Sequence, residues 1–305
     1  MISWIGIDVS KASLAVWIHP QDISFSVPND SNGYAQLIEK LGGYEVRKVL
    51  LEATGGYERG VLTALAAFSV VRVNPRRARA FAEAIGKHAK TDPIDAHVLA
   101  RFAQTLMSSS YKLASPQVQC LRALVQQRER FVQQRDDDRR RAQQAELPAV
   151  IDLLTEHIKL LRTFIERLEQ AIEATMMALD SDRATRLTSV KGIGVITAAS
   201  LMAYMPELGN VDRHQIAALA GLAPYNKDSG TVRGKREIYG GRGAIRRVLY
   251  MACWIVLRYD ASFKARYEKL RAKGKCAKAA LVACMRVLLV RLNAMLRDGT
   301  QWQAQ

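Results

Sequence analysis

The sequence predicts an α/β domain at the N-terminus, a helical coiled-coil connector, and a mainly α-helical C-terminal domain. Three observations carry that reading. Short apolar runs of strand length crowd the chain between Ile2 and Val73, and the apolar residues from Ile151 to Ile172 recur in steps of three and four. Beyond about residue 185, apolar helical segments alternate with glycines and basic loops. At 305 residues with 49% apolar composition, the chain exceeds what one core usually organises and has material for two. We place the domains at 1–110, 111–182 and 183–305.

Residues 2–7 and 14–18 are apolar runs separated by DVSKAS, and ISFSV at 23–27 adds a third before the turn-rich PNDSNG. These predict a three-stranded meander. A helix at 34–41, a strand at 46–51 (VRKVLL), a helix at 57–68 and a strand at 70–73 follow. A basic helix from about residue 76 and another from Asp92 close the domain. Three strands followed by alternating helices and strands predict a mixed sheet covered by helices, the order of a ribonuclease-H-like fold.

In the connector, residues 117–146 are helix-like, with a stripe of Val118, Leu121, Val125 and Val132 interrupted by Arg128 and Arg135. After Pro148, the residues Ile151, Leu154, Ile158, Leu161, Ile165, Leu168 and Ile172 form an unbroken heptad seam. Heptads do not name their partner. A hairpin within the chain and a coiled coil between chains satisfy the seam equally.

The 45 Lys and Arg against 29 Asp and Glu give a formal charge of +16, which calls for a polyanionic partner. Cys120, Cys253, Cys276 and Cys284 form no CxxC pair and read as reduced, packed thiols. The opening MISWIGIDVS lacks the basic region and long apolar core of an export signal. The most apolar later runs, Tyr250 to Leu257 and Ala279 to Leu296, are short or broken by Arg286 and Arg291. We therefore expect a soluble cytoplasmic protein without a membrane partner.

The stretch AKTDPIDAHVLARF, residues 89–102, sets Asp92 and Asp95 one helical turn apart. Asp before Pro93 is a good helix cap, and Asp95 would complement the helix dipole, so capping alone accounts for the pair. Two further acids change the balance. Asp8 ends the run WIGID and Glu52 ends VLLE, at strand termini where open sheets present functional groups. Four converging carboxylates need a cation to neutralise them, and all-oxygen ligation suits magnesium or manganese. Two such ions about 4 Å apart can activate an attacking oxygen and stabilise a leaving one.

In the second half, SVKGIGVITAASLMAYM (189–205) places Gly192 and Gly194 around Ile193 between helical segments. This is the pattern of a helix-hairpin-helix element, in which Lys191, Gly192 and Gly194 receive a phosphate at a helix N-terminus. An ordinary inter-helix turn needs the same glycines. Further on, Arg233, Lys235, Arg236, Arg242, Arg246 and Arg247 concentrate positive charge, with only Asp228 and Glu237 close in sequence, a density suited to phosphate contacts. Ser229 lies in a DSG loop. Such a serine is usually a turn former, and unaided its hydroxyl is a poor nucleophile. The basic stretch RERFVQQRDDDRRRAQQ (128–144) suits RNA, DNA or solvent.

Taken together, GIDVSK (6–11), LEATGGYE (51–58) and KTDPIDA (90–96) resemble, in this order, the Asp-Glu-Asp-Asp motif of the RuvC-like domain in one group of proteins. These are the bacterial insertion-sequence transposases of family one hundred and ten, described as bridge-RNA-guided recombinases. The resemblance spans nearly the whole chain. It implies that Asp8, Glu52, Asp92 and Asp95 hold Mg²⁺ or Mn²⁺, and that Ser229 matches a nucleophilic serine in a C-terminal transposase domain. It further implies cleavage and rejoining of donor and target DNA through a phosphoserine intermediate, guided by a structured RNA. The composite site would form between protomers as dimers assemble into a tetramer, in the bacterial cytoplasm at the nucleoid. Two alternatives stand beside it: a junction-resolving, metal-dependent nuclease that activates water, and a non-catalytic nucleic-acid scaffold.

Overall fold

The computed structural model describes residues 1–87, 92–106, 115–226, 234 and 236–303. The chain divides into two compact units, Met1–Leu113 and Ala114–Gln305.

The first unit opens with the meander β1 (Ile2–Val9), β2 (Ser13–His19) and β3 (Ile23–Pro28), paired antiparallel in sequence order. Helix α1 (Ser31–Leu41) follows, with Asp30 as its cap accepting from the Gly33 N–H. Strand β4 (Glu45–Glu52) returns parallel to β1, α2 (Arg59–Ala64) crosses over, and β5 (Val70–Val73) pairs parallel with β4. The sheet order is β3-β2-β1-β4-β5, so β1 and β4 lie inside it. Helices α3 (Pro75–Ala84) and α4 (Asp92–Thr105) complete the unit. Asn74 caps α3, and Pro75 opens it where a missing N–H does no harm.

Both faces of the sheet are covered, which explains why β1 and β4 read as near-continuous apolar runs. Ile5, Ile7, Val9, Val49 and Leu51 face the core with Leu37 and Leu41 of α1 and Val61 and Leu62 of α2. Leu50, Val71 and Val73 face the opposite core with Ala78 of α3 and Leu99, Phe102 and Ala103 of α4. Helix α2 is shorter than the predicted 57–68. The turn opened by Gly55 and Gly56, at φ 74° and 126°, runs on to Glu58, and after Ala64 the chain turns again into β5.

The second unit begins with α5 (Pro116–Gln144) and α6 (Pro148–Leu179), packed along one another. The pairs Arg128 with Glu169, Phe131 with Phe164 and Asp138 with His157 step in opposite directions, so the helices form an antiparallel hairpin. The heptad seam thus finds a partner within the chain: Ile158, Leu161, Ile165 and Ile172 are buried. Leu121 and Val125 of α5 with Ile172 and Met176 of α6 run on into the unit's main core.

That core is closed by α7 (Ser181–Thr188), α8 (Val195–Tyr204), α9 (Arg213–Leu219), α10 (Gly243–Tyr259), α11 (Ala261–Ala272) and α12 (Ala277–Arg297). A two-residue ribbon, β6 (Pro224–Tyr225) paired antiparallel with β7 (Glu237–Ile238), lies between α9 and α10 in the chain. By length and composition α12 could cross a membrane, but Leu281, Cys284, Leu288, Leu289 and Leu292 bury it in the core. All four cysteines are free thiols, and burial, with Cys284 alongside, pushes the Cys253 thiol up to about 12.

Candidate active site

The parallel register of β1 and β4 pairs Gly6 with Leu50 and Ile7 with Leu51. Asp8 and Glu52 are the next step, at the carboxyl ends of two inner strands, where open α/β sheets place their functional groups. Because side chains alternate, both share the face of Gly6 and Leu50, the face covered by α3 and α4.

Asp92 and Asp95 occupy the first turn of α4, and Gly6 brings that helix down onto the sheet. An added Cβ at Gly6 would lie 2.0 Å from the Ala96 carbonyl oxygen and 2.3 Å from the Ala100 nitrogen. Only glycine permits this approach. Two residues further along β1 stands Asp8, and one turn back along α4 stand Asp92 and Asp95. The four acids line a single cleft of about 360 Å³, whose rim also carries Arg79, Glu83 and Lys87. Asp92 is exposed, while Asp8, Glu52 and Asp95 are half-buried. Arg79 and Glu83 bond each other at 3.3 Å, leaving the cleft an excess of carboxylates over cations.

The donor set is anionic and all oxygen, which suits a hard divalent cation. The acids ring the cleft rather than meeting at a point: among the described residues no three His, Cys, Asp or Glu are arranged to hold an ion. Residues 88–91, which lead into Asp92, lie outside the described residues.

A fifth carboxylate, Glu58, escapes the sequence reading. It is 3% exposed and ties down the loop that follows Glu52. It accepts from the Gly56 N–H at 2.8 Å, the Thr54 hydroxyl at 3.1 Å and the Arg72 guanidinium at 3.1 Å. Burial raises its pKa, but hydrogen bonds from its own backbone N–H, the Gly56 N–H, the Thr54 hydroxyl and the Thr54 N–H together outweigh burial and hold it below the ordinary 4.5. Its only signal in the sequence is a second acid inside LEATGGYE.

In the second unit, α7, a turn at 189–194 and α8 form the expected helix-hairpin-helix outline, with Ile193 buried. Gly192 has φ 104°, and an added Cβ would press on Ala252 and Val256 of α10, so packing itself demands glycine there. Gly194 caps α8 with open space around it, and exposed Lys191 sits 5.6 Å from the Tyr259 ring centre.

The basic segment divides. Arg242 grips Glu207 through two bonds of 2.6 Å and also donates to the Tyr204 carbonyl. For Glu207 burial raises the pKa, but the Arg242 bond, a hydrogen bond from its own backbone and the charges of Arg242 and Arg122 together hold it below the ordinary value. Arg246 donates to the Ala220 and Gly240 carbonyls, and Arg247 bonds Glu129 at 2.6 Å. Arg236 is exposed. Ser229, Arg233 and Lys235 lie outside the described residues.

Comparison with known families places both halves of the chain. Residues 5–146 match a transposase family model named for the DEDD motif, and residues 184–268 match one described as "Transposase IS116/IS110/IS902 family". The chain is 30% identical over 159 residues to the "Insertion element IS110 uncharacterized 43.6 kDa protein" of Streptomyces coelicolor, covering 51% of this chain and 39% of that protein. It is 36% identical over 118 residues to the "Insertion element IS900 uncharacterized 42 kDa protein" of Mycobacterium paratuberculosis, covering 37% and 29%. With the "Pilin gene-inverting protein" of Moraxella lacunata it shares 29% identity over 312 residues, 97% of this chain and 96% of that protein. The alignments thus span well under half of the two insertion-element proteins and nearly all of the pilin gene-inverting one.

Proposed function

The chain belongs to the IS116/IS110/IS902 family of transposases, and from that premise we propose that it is a DNA recombinase whose first unit provides the strand-cutting cleft. The observation that carries this reading is the cleft itself: Asp8, Glu52, Asp92 and Asp95 line one cavity at the carboxyl end of the sheet, within the segment matched by the DEDD family model. The near full-length likeness to a protein named for inverting a gene supports rearrangement of DNA segments as the overall outcome.

Asp8, Glu52, Asp92 and Asp95 would hold Mg²⁺ or Mn²⁺, which when bound supplies charge neutralisation at a phosphate. The chain's own cations do the rest of the binding. Lys87 and Arg79 on the rim meet phosphate oxygens as the strand enters, and the formal charge of +16 draws the polyanion in. The half-buried positions of Asp8, Glu52 and Asp95 keep the site partly shielded from solvent, which strengthens each charge interaction there. We assign the activity to the bacterial cytoplasm, with donor and target DNA as substrates.

The test is Mn²⁺ titration by calorimetry beside a nicking assay on supercoiled DNA carrying the element's ends. Asp8→Ala is expected to lose Mn²⁺ binding and nicking while staying folded. A folded Asp8→Ala chain with wild-type nicking refutes the metal site.

A second reading concerns the nucleophile. Ser229 lies within the matched segment 184–268, in a Ser-Gly sequence like that around the nucleophilic serine of the resembling transposases. On that reading its Oγ attacks phosphorus, giving up its proton to a base. The bond from phosphorus to the leaving deoxyribose oxygen breaks, that oxygen takes up a proton, and the serine phosphodiester keeps the bond energy for rejoining. A guide RNA and a tetramer built from dimers belong to the same reading. Water activated in the cleft needs none of these. Ser229→Ala decides: persistent nicking by the variant supports water, and loss of both nicking and a protease-sensitive DNA adduct supports the serine.

A further inference from the structure

The loop between β4 and α2 is held more firmly than a short exposed connection requires. From below, the buried Glu58 carboxylate fixes Thr54 and Gly56 and is itself anchored by Arg72 of β5. From the side, Asn29 Nδ2 donates to the Tyr57 carbonyl at 3.2 Å and to the Ser10 carbonyl at 2.7 Å. One amide therefore ties the segment after Asp8 to the segment after Glu52. Asn29 is in turn oriented by the Tyr34 hydroxyl, which donates to its Oδ1 at 2.6 Å. Gly60 makes room for that phenol, since an added Cβ would lie 2.2 Å from its oxygen.

This order does not serve burial of the loop's own large side chain. Tyr57 is 51% exposed, and the space beside Gly55 is open. A backbone clamped from two sides with an exposed aromatic at its tip, next to strands that end in Asp8 and Glu52, has the build of a preordered ligand contact. The side-chain chemistry is also apt. An uncharged ring can stack on a base without adding a charge that competes with a metal or phosphate for the carboxylates of the cleft.

We propose that Tyr57 contacts the nucleic-acid strand held at the carboxylate cleft, its ring lying against an unpaired or unstacked base, and that Asn29 and Glu58 are positioning residues for it. The inference rests on the cleft being the strand-cutting site, so its test keeps the two apart. Wild-type chain and variants are irradiated with a single-stranded oligonucleotide carrying 5-iododeoxyuridine, and the crosslinked residue is mapped by mass spectrometry. In parallel, fluorescence anisotropy gives oligonucleotide affinity, and calorimetry gives Mn²⁺ binding.

The crosslink is expected at Tyr57. Tyr57→Phe should retain affinity, while Tyr57→Ala should weaken it roughly 5- to 150-fold, the range for one stacked base, with Mn²⁺ binding unchanged. Asn29→Ala should lower the crosslink yield at Tyr57 well below its unfolding temperature, with Mn²⁺ binding retained. Intact Mn²⁺ binding together with wild-type affinity in Tyr57→Ala overturns this inference and leaves the cleft reading standing. A Tyr57→Ala chain that changes its sedimentation but not its affinity overturns it too, since the ring then meets protein. Absence of Mn²⁺ binding in the wild type overturns the cleft reading instead.

Discussion

Replacing Gly6 with alanine tests how the two halves of the cleft are held at their spacing. The new methyl would sit 2.0 Å from the Ala96 oxygen, 2.3 Å from the Ala100 nitrogen and 2.9 Å from the Leu99 carbonyl carbon. All three are helix backbone, so no rotamer change relieves them. Nonbonded heavy atoms need well over 3 Å, and α4 must therefore retreat from β1 by roughly 1 Å or more. Overpacking of this kind costs about 1–3 kcal/mol, and a clash with backbone belongs at the upper end. The retreat carries Asp92 and Asp95 away from Asp8 and Glu52. Metal ligation tolerates only about 0.2 Å in each distance, so Mn²⁺ affinity should fall by tenfold or more.

The assay is thermal unfolding beside Mn²⁺ calorimetry, with Phe102→Leu as control. Phe102 is a core residue of α4 whose trimming lowers stability without pushing the helix off the sheet. Gly6→Ala should lose both stability and affinity, the control stability alone. Wild-type Mn²⁺ affinity in Gly6→Ala would show that the seating of α4 does not set the cleft.

Other expectations follow from the same contacts. Because the Glu58 carboxylate is held below 4.5, its contribution is complete above that pH and is lost as pH falls through its lowered folded value. Glu58→Gln should cost about 2 kcal/mol at neutral pH and flatten the acid limb of the stability profile; parallel profiles for both chains would refute this. Ile165→Asp puts a charge into the α5–α6 seam at a position 5% exposed and should cost about 3 kcal/mol or more in urea unfolding; an unchanged midpoint would mean the hairpin does not need the seam. Arg242→Ala should lower stability by about 1–2 kcal/mol and leave the salt dependence of DNA binding alone, whereas Arg236→Ala should reduce the log–log slope by about 0.9. An equal drop for Arg242→Ala would show that its guanidinium leaves Glu207 for phosphate.

Much of the first unit was legible because its strands announce themselves locally. The meander and the VLL run of β4 are decided by neighbours within a few residues. What depends on distant pairing was not. The heptads of α6 are silent on whether their partner is α5 or another chain, and the contact of Phe164 with Phe131 answers it. Counting acids near the basic segment suggested that its arginines lacked partners, yet Glu207 reaches Arg242 across 35 positions and Glu129 reaches Arg247 across 118. Gly6 could have been flagged. A glycine inside a strand, between Ile5 and Ile7, signals a close backbone approach.

The motif LEATGGYE shows why the site was only half readable. Its two glutamates are chemically identical and six positions apart, and the sequence favours Glu52 because it ends a strand. The fold separates them by direction. Strand alternation puts Glu52 with Leu50 on the face roofed by α4, where the cleft lies, while Arg72 follows Leu51 to the other face. The glycines at 55 and 56 then reverse the chain, so that Glu58 points back beneath its own loop and meets Arg72. One carboxylate remains half-buried at an open cleft, and the other is buried and saturated with hydrogen bonds. A buried, fully paired carboxylate cannot take a metal without losing the bonds that keep it there, so Glu58 can hold the loop only because it is kept out of the cleft. Exchanging them is therefore asymmetric. Glu52→Gln should remove a ligand and spare the fold, and Glu58→Gln should loosen the loop and leave the ligand in place.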